Sequence, residues 1–334
     1  MSNKARLLEE TAGYFRERYG REPELTVAAP GRANLIGEHT DYNDGHVLPV
    51  AIDRYIVAAA ANRADGRFRL YAADFDEYFE FEKGGLPAQR PVWSAYVGGV
   101  IAELRRDGFE VGGKDIAIHG DVPPGSGLSS SAALEISTAT AVERLEGLEI
   151  EDGRMVNICR RADHNYVGIK SGPMDQFASR ACRAGHAGLL DCRAMAMEHH
   201  PLPQGIDFFS IYSGIPRALV TSEYNERQES CQEAVRILAA ENPGVKALRD
   251  ATPEMVGALK EKLGGLIYRR ARHVVSEQGR VFALIDAFGR NDLSAIGDIL
   301  LAGHISLIED YEVSLPVLDE MIDWLYARPG AVGA

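Results

Sequence analysis

"PPGSGLSSSAA", residues 123–133, sets two glycines and a run of serines directly after two prolines. Beyond it Ala132, Ile136, Ala139 and Val142 recur at spacings of four, three and three, so a helix starts immediately after the glycines. Upstream, DIAIHGDVP (115–123) reads as strand and turn. Strand, glycine loop and helix N-terminus together place several backbone N–H groups around one small space, which favours an anion. Gly125 and Gly127 permit close backbone approach, and the helix dipole attracts phosphate even though no lysine follows the loop. The other reading is a tight turn in which the serines cap the helix.

Working outward, residues 3–19 carry Leu7, Leu8, Tyr14 and Phe15 among charges at helical spacing, the pattern of a surface helix. LTVAA (25–29), HVLPVAI (46–52), RYIVAAAA (54–61) and RFRLYAA (67–73) read as short strands, and consecutive strands of this kind are expected to pair antiparallel. VWSAYVGGVIAELRRDG (92–108) returns to a helical period and stops at Gly108. The second half offers a strand pair at GLLDCR (188–193) and DFFSIYSG (207–214), then mostly helix from Ser222 onward. Mixed strands in the first half with segregated helices in the second predict an α+β chain of two domains, 1–180 and 181–334.

At 334 residues, with 46% hydrophobic and 25% charged residues, the chain has the composition of an ordinary globular protein. A net charge of −13 disfavours nucleic acid and anionic lipid as partners. The cluster Arg269, Arg270 and Arg272 beside Glu277 reads as a solvated basic face. Cys159, Cys182, Cys192 and Cys231 are widely spaced with no C-x-x-C pair, so free thiols are expected. The N-terminus is charged throughout and no apolar run reaches membrane-spanning length, which predicts a cytoplasmic protein.

Two further stretches carry dense polar chemistry. PGRANLIGEHTDYNDGHVLP (30–49) crowds Arg32, Glu38, His39, Asp41 and Asn43 into a loop around an apolar LIG, either a solvated loop or a hydrogen-bonding cage for a polyhydroxylated ligand. GIKSGPMDQF (168–177) sets Asp175 amid Gly, Pro, Met and Phe, as a helix cap or a buried carboxylate.

Together these three stretches resemble the galactokinases, members of the GHMP kinase superfamily that also holds homoserine, mevalonate and phosphomevalonate kinases. GRANLIGEHTDYNDGHVLP is similar to the galactokinase signature, PPGSGLSSSAA to the superfamily's ATP loop and GIKSGPMDQF to the family's catalytic segment. Weaker similarity continues through SEYNERQESC (222–231), RRARHVVSE (269–277) and DYEVSLPVLDE (310–320). The resemblance implies an N-terminal domain of the ribosomal-protein-S5 type, a ferredoxin-like C-terminal domain and an active site between them. It implies that ATP phosphorylates the C1 hydroxyl of α-D-galactose.

By the same resemblance, Asp175 accepts the proton of that hydroxyl with Arg32 as its neighbour, since phosphoryl transfer rests on positioning and charge stabilisation. Glu38, His39 and Asp41, with Gly172 and Tyr224, would read the sugar's hydroxyls. Pro124, Gly125, Ser126, Gly127, Leu128, Ser129, Ser130 and Ser131 would hold the phosphates, with Trp93 and Tyr96 walling the adenine pocket or packing in the core. Mg²⁺ would take Ser130 or Ser131 and Asp163, where the family usually has Glu. Ala95 and Gly98 replace the family's Asn and Lys, Ser171 a usual Cys, and Gln228 a usual Arg. The family's third glycine-rich motif would begin where this chain reaches GAVGA (330–334), so the resemblance implies an incomplete C-terminal domain. A monomer is expected. The alternatives are a kinase for a related sugar, such as N-acetylgalactosamine or a uronic acid, and a sugar-binding sensor that has lost turnover.

Overall fold

The computed structural model describes residues 1–82, 84–215 and 221–333, the side chains of 221–224 excepted. In chain order the elements are α1 (Asn3–Tyr19), β1 (Leu25–Asn34), β2 (His46–Val47), β3 (Pro49–Arg63), β4 (Phe68–Ala72), β5 (Glu77–Phe81), α2 (Val92–Arg106), β6 (Gly113–Gly120) and α3 (Ser130–Leu145). There follow α4 (Asp152–Ala162), α5 (Met174–Ala181), β7 (His186–Asp191), β8 (Ala196–Pro201), α6 (Thr221–Glu241), α7 (Pro253–Ala258), α8 (Lys260–Arg290), α9 (Leu293–Ser306) and α10 (Pro316–Tyr326). They form two compact units: Met1–Ala33 with Ala51–Cys182, and Asn34–Val50 with Arg183–Ala334. The division after Cys182 is accompanied by one that the strand pattern does not suggest: residues 34–50, the core of the polar signature, count with the second unit.

The first unit is built on a five-stranded sheet of order β1-β3-β6-β4-β5. The alanine run of β3 explains its layering, because side chains alternate across a strand. Ala58 and Ala60 join the core formed with Val97, Leu104, Ile136 and Met155 from the helices α2, α3 and α4. Ala59 and Ala61 instead meet Phe15 of α1 together with Ala117 of β6. Burying Phe15 completely contributes about 1.5–3 kcal/mol. α1 itself is delimited by its sequence: the Ser2 hydroxyl accepts from Ala5 N, and Gly20 ends the helix in the left-handed region at φ 69°.

The second unit has a three-stranded sheet, β2-β7-β8, with antiparallel pairing throughout, and helices α6 to α10. Its apolar core gathers Cys231, Ala234 and Leu238 of α6, Val274 of α8 and Tyr311, all close to fully buried. No helix among the described residues is long and apolar enough to cross a membrane.

Several expectations change. The strands expected at 46–52 and 54–61 are largely one strand, β3, which continues through the exposed Asp53 and Arg54. β3 and β4 do not pair with each other; β6 lies between them, antiparallel to β3 and parallel to β4. Residues 207–214 form no strand: the partners of β7 are β2 and β8, and Phe209 and Tyr212 stay exposed. The arginine cluster is a solvated face only in part, with Arg272 exposed and Arg269 half-buried. Arg270 is buried, donating from Nη1 to Asp310 O (2.8 Å) and from Nη2 to Glu312 Oε2 (2.7 Å), and Arg272 pairs with Asp310. The cysteines are free thiols.

Candidate active site

In the first unit β1 delivers Arg32 to the glycine loop, and the delivery depends on the residue before it. A Cβ on Gly31 would stand 2.6 Å from Leu128 O, so only glycine lets the strand run this close to the loop. Arg32 then binds the loop twice, its N–H donating to Leu128 O (3.1 Å) and its Nη1 to Gly127 O (2.5 Å). The rest of the guanidinium turns to Asp175: Nε is 2.8 Å and Nη2 2.6 Å from Oδ1. Asp175 stands at the second position of α5, a helix tied to β1 by the Ser179 hydroxyl, which donates to Pro30 O at 2.7 Å.

The other oxygen of Asp175, Oδ2, accepts from the Ser129 hydroxyl at 2.6 Å. Ser129 is the N-cap residue of α3, yet its side chain makes no capping bond. Its backbone is left-handed (φ 57°, ψ 49°), a conformation that costs a non-glycine residue about 1–2 kcal/mol. With Gly125 (φ 71°) and Gly127 (φ 80°), Ser129 makes positive φ recur at every second residue along the loop. Such turns direct successive N–H groups into an anion-binding concavity. Pro123, Pro124, Gly125 and Gly127 are exposed and Ser126, Leu128, Ser130 and Ser131 half-buried, so the loop is not sealed in apolar packing.

Behind the loop lies a polar cluster. Gln176 Nε2 donates to Glu135 Oε2 and to Asp163 Oδ2, both at 2.9 Å, and Ser171 Oγ donates to the same Asp163 oxygen at 3.1 Å. Burial pushes the Asp163 carboxyl up to about 6, and burial followed by the Asp163 charge pushes Glu135 well above the carboxylate range. The Glu135 and Asp163 carboxyls also share a hydrogen bond, the raised Glu135 carboxyl donating, and Gln176 Oε1 is a buried acceptor without a partner. Two carboxyls, an amide oxygen and a serine hydroxyl make an oxygen-only donor set, the kind a hard cation prefers. Gly172 is buried, and Trp93 of α2 donates from Nε1 to Glu77 Oε2 at 2.5 Å while packing against the core.

In the second unit the polar loop is held tightly. Gly37 has φ 100°, and a Cβ there would meet Val47 Cα at 2.8 Å. Thr40 Oγ1 donates to Gly37 O (2.8 Å) or His46 O (2.6 Å), closing the turn that carries half-buried Asp41. His39 is left-handed at φ 63°, with Asn43 Nδ2 donating to its carbonyl at 2.9 Å. Its Nδ1 lies 2.9 Å from the Tyr42 hydroxyl, itself 2.7 Å from that of Tyr311. Asn34 Nδ2 donates to Glu38 Oε1 at 3.0 Å. Burial, then the neighbouring Glu277 carboxylate, pushes the Glu38 carboxyl well above its usual range. Burial alone would raise Glu277 as well, but the Arg280 charge and the hydrogen bonds from the Glu38 carboxyl and Gly37 N hold it below the ordinary value.

Of the residues expected in the site, Arg32, Asp175 and the loop 124–131 therefore come together in one unit, and Glu38, His39 and Asp41 lie in one loop of the other. The side chain of Tyr224 falls outside the described residues. Sequence reading did not single out Glu135, Gln176, His273 or Tyr311, and placed Glu277 only beside a solvated basic face. The pair His273 and Glu277 had a signal, polar residues four apart on the helix face that continues through Val281 and Leu284.

Residues 13–62 match the family model of the galactokinase galactose-binding signature, and residues 95–182 that of the GHMP kinase N-terminal domain. A galactokinase of Roseiflexus sp. (strain RS-1) is 40% identical over 320 residues, covering 96% of this chain and 82% of that protein. Among solved structures, Lactococcus lactis galactokinase complexed with galactose matches with a TM-score of 0.89 at 32% identity, over 98% of this chain and 86% of that one. Streptococcus pneumoniae phosphomevalonate kinase, in complex with phosphomevalonate and AMPPNP, shares the fold at a TM-score of 0.59 and 12% identity, over 90% of this chain and 85% of that one.

Proposed function

The chain belongs to the galactokinase family, and from that premise we propose that it transfers the γ-phosphoryl group of ATP to the C1 hydroxyl of α-D-galactose through Asp175 and Arg32. The observation that carries this reading is the carboxylate of Asp175, held on one oxygen by Arg32 and on the other by Ser129. A carboxylate fixed at both oxygens presents its remaining lone pairs in a set direction. It accepts the proton of the C1 hydroxyl as that oxygen bonds to the γ-phosphorus and the bond to the ADP oxygen breaks. Arg32 keeps positive charge beside the transferring group. Residues 125–131 take the phosphates on their backbone N–H groups and on the N-terminus of α3, while Pro124, which has no N–H, shapes the loop beside them. Trp93 borders the adenine.

Mg²⁺ fits the oxygen-only donor set present: Asp163 and Ser130 or Ser131 would hold it, leaving other positions to water and phosphate. When bound it neutralises charge on the phosphates. Ser171 and Gln176 orient the Asp163 carboxylate through its second oxygen.

Galactose and glucose differ only at the 4-hydroxyl, so selection requires fixed partners that the wrong epimer leaves unpaired. Glu38, His39 and Asp41, with Gly172 and Tyr224, are those partners; the rigid Gly37–His46 turn supports the assignment. Purified protein is to be tested with ATP and a panel of galactose, glucose, N-acetylgalactosamine and galacturonate by ADP release. Galactose is expected to exceed glucose in kcat/KM by on the order of 100-fold or more. Turnover of another sugar with galactose untouched overturns the substrate, and binding of galactose and ATP without ADP release favours the sensor.

A further inference from the structure

Resting on the assignment of Glu38 and His39 to the sugar, we propose that His273 and Glu277 of α8 are positioning residues that clamp the Gly37–Glu38 backbone and thereby set the affinity for galactose. Glu277 is fully buried, an expensive place for a carboxylate. Its Oε1 accepts from Gly37 N at 2.8 Å and from Glu38 N at 3.3 Å, and its Oε2 from Arg280 Nε at 2.6 Å. His273, one turn earlier and also fully buried, takes the other end of the same residue: Nε2 is 3.0 Å from Glu38 O. A carbonyl can only accept, so that nitrogen carries the proton. Burial keeps the ring neutral, and its Nδ1 lies 2.9 Å from Ser306 Oγ. Both amide groups of Glu38, its N–H and its C=O, are thus bound by side chains of one helix.

The third part of the clamp is aromatic. Tyr311 is fully buried, with its ring centroid 4.5 Å from that of His39 and 4.5 Å from that of His273. It also meets the Tyr42 hydroxyl that bonds His39. These contacts offset the strain of His39 in its left-handed conformation. Segments 269–277 and 310–311 thereby act on the sugar loop without themselves touching the sugar.

The variants to compare are Glu277→Gln, Glu277→Ala and His273→Ala, with Glu38→Gln as the reference, in the full chain. Each is scored for galactose Kd by calorimetry, for KM of galactose and of ATP, and for thermal melting. Glu277→Ala and His273→Ala are expected to raise the galactose Kd by about 10- to 100-fold, with KM for ATP unchanged. Glu277→Gln, which retains an oxygen for the two N–H groups, recovers a large part of that loss. If Glu277→Ala does not fold, Glu277→Gln and His273→Ala decide. A lowered melting temperature with wild-type galactose Kd, while Glu38→Gln binds weakly, overturns the clamp and leaves the sugar assignment standing. Wild-type affinity in Glu38→Gln removes both.

Discussion

Ser129 offers a test in which catalysis and stability move apart. Its hydroxyl donates to Asp175 Oδ2 at 2.6 Å while its backbone sits at φ 57°, ψ 49°. Ser129→Ala removes the hydroxyl and keeps the strain; Ser129→Gly removes both. A hydrogen bond to a charged group contributes about 1.5–3 kcal/mol. The Asp175 side chain is 30% exposed, so water replaces part of it. A loss of about 1–2 kcal/mol remains, which lowers kcat roughly 5- to 30-fold in both variants. Their stabilities differ. Glycine relieves about 1–2 kcal/mol of left-handed strain and loses about 0.5–1 kcal/mol to chain entropy. The net gain is about 0–1.5 kcal/mol, so Ser129→Gly should melt level with Ser129→Ala or up to about 4 °C above it, and not below it. ADP release at saturating galactose and ATP measures the first effect, with KM for ATP followed in parallel because Ser129 also belongs to the phosphate loop. Scanning calorimetry measures the second. Wild-type kcat in Ser129→Ala refutes the role of the hydroxyl; recovery of kcat in the glycine variant alone assigns the defect to strain.

Two further outcomes follow from the geometry. Gly31→Ala sets a Cβ against Leu128 O, 2.6 Å away, and displaces the loop from Arg32, so kcat/KM for ATP is expected to fall about 10- to 100-fold; unchanged kinetics refute that coupling. In the second unit, hydrogen bonds from Arg249 hold the Asp191 carboxyl well below the usual range. Because the folded-state value is depressed, the stabilisation is complete above the unfolded value near 4 and is lost as pH falls through and below it. Thermal melts between about pH 5 and 3 should therefore fall more steeply for the wild type than for Arg249→Gln; equal slopes contradict the pairing.

The loop and its helix were legible because their signals are local: glycines where φ must be positive, then apolar residues at helical spacing. Arg32 and Asp175 lie 143 positions apart, so no spacing rule joins them; only the family motifs put both in view. Residues 207–214 misled because aromatic and β-branched residues mark a strand only when a neighbour supplies the ladder, and both edges of β7 are taken, by β2 and by the more polar β8. Asp53 and Arg54 looked like a break because charge usually marks a turn, whereas the strand carries them on exposed positions. The clamp on Glu38 left only a faint local signal for a different reason: His273 and Glu277 are polar residues on a buried helix face, stabilised by backbone groups far away in sequence.

The central claim is that the Asp175 carboxylate takes the proton of the sugar hydroxyl. Asp175→Asn keeps the size of the side chain and removes its basicity, so single-turnover formation of galactose 1-phosphate is the direct measurement. The expected result is a rate lowered about 10²- to 10⁴-fold with galactose and ATP still bound. An Asp175→Asn variant that forms product at the wild-type rate contradicts it.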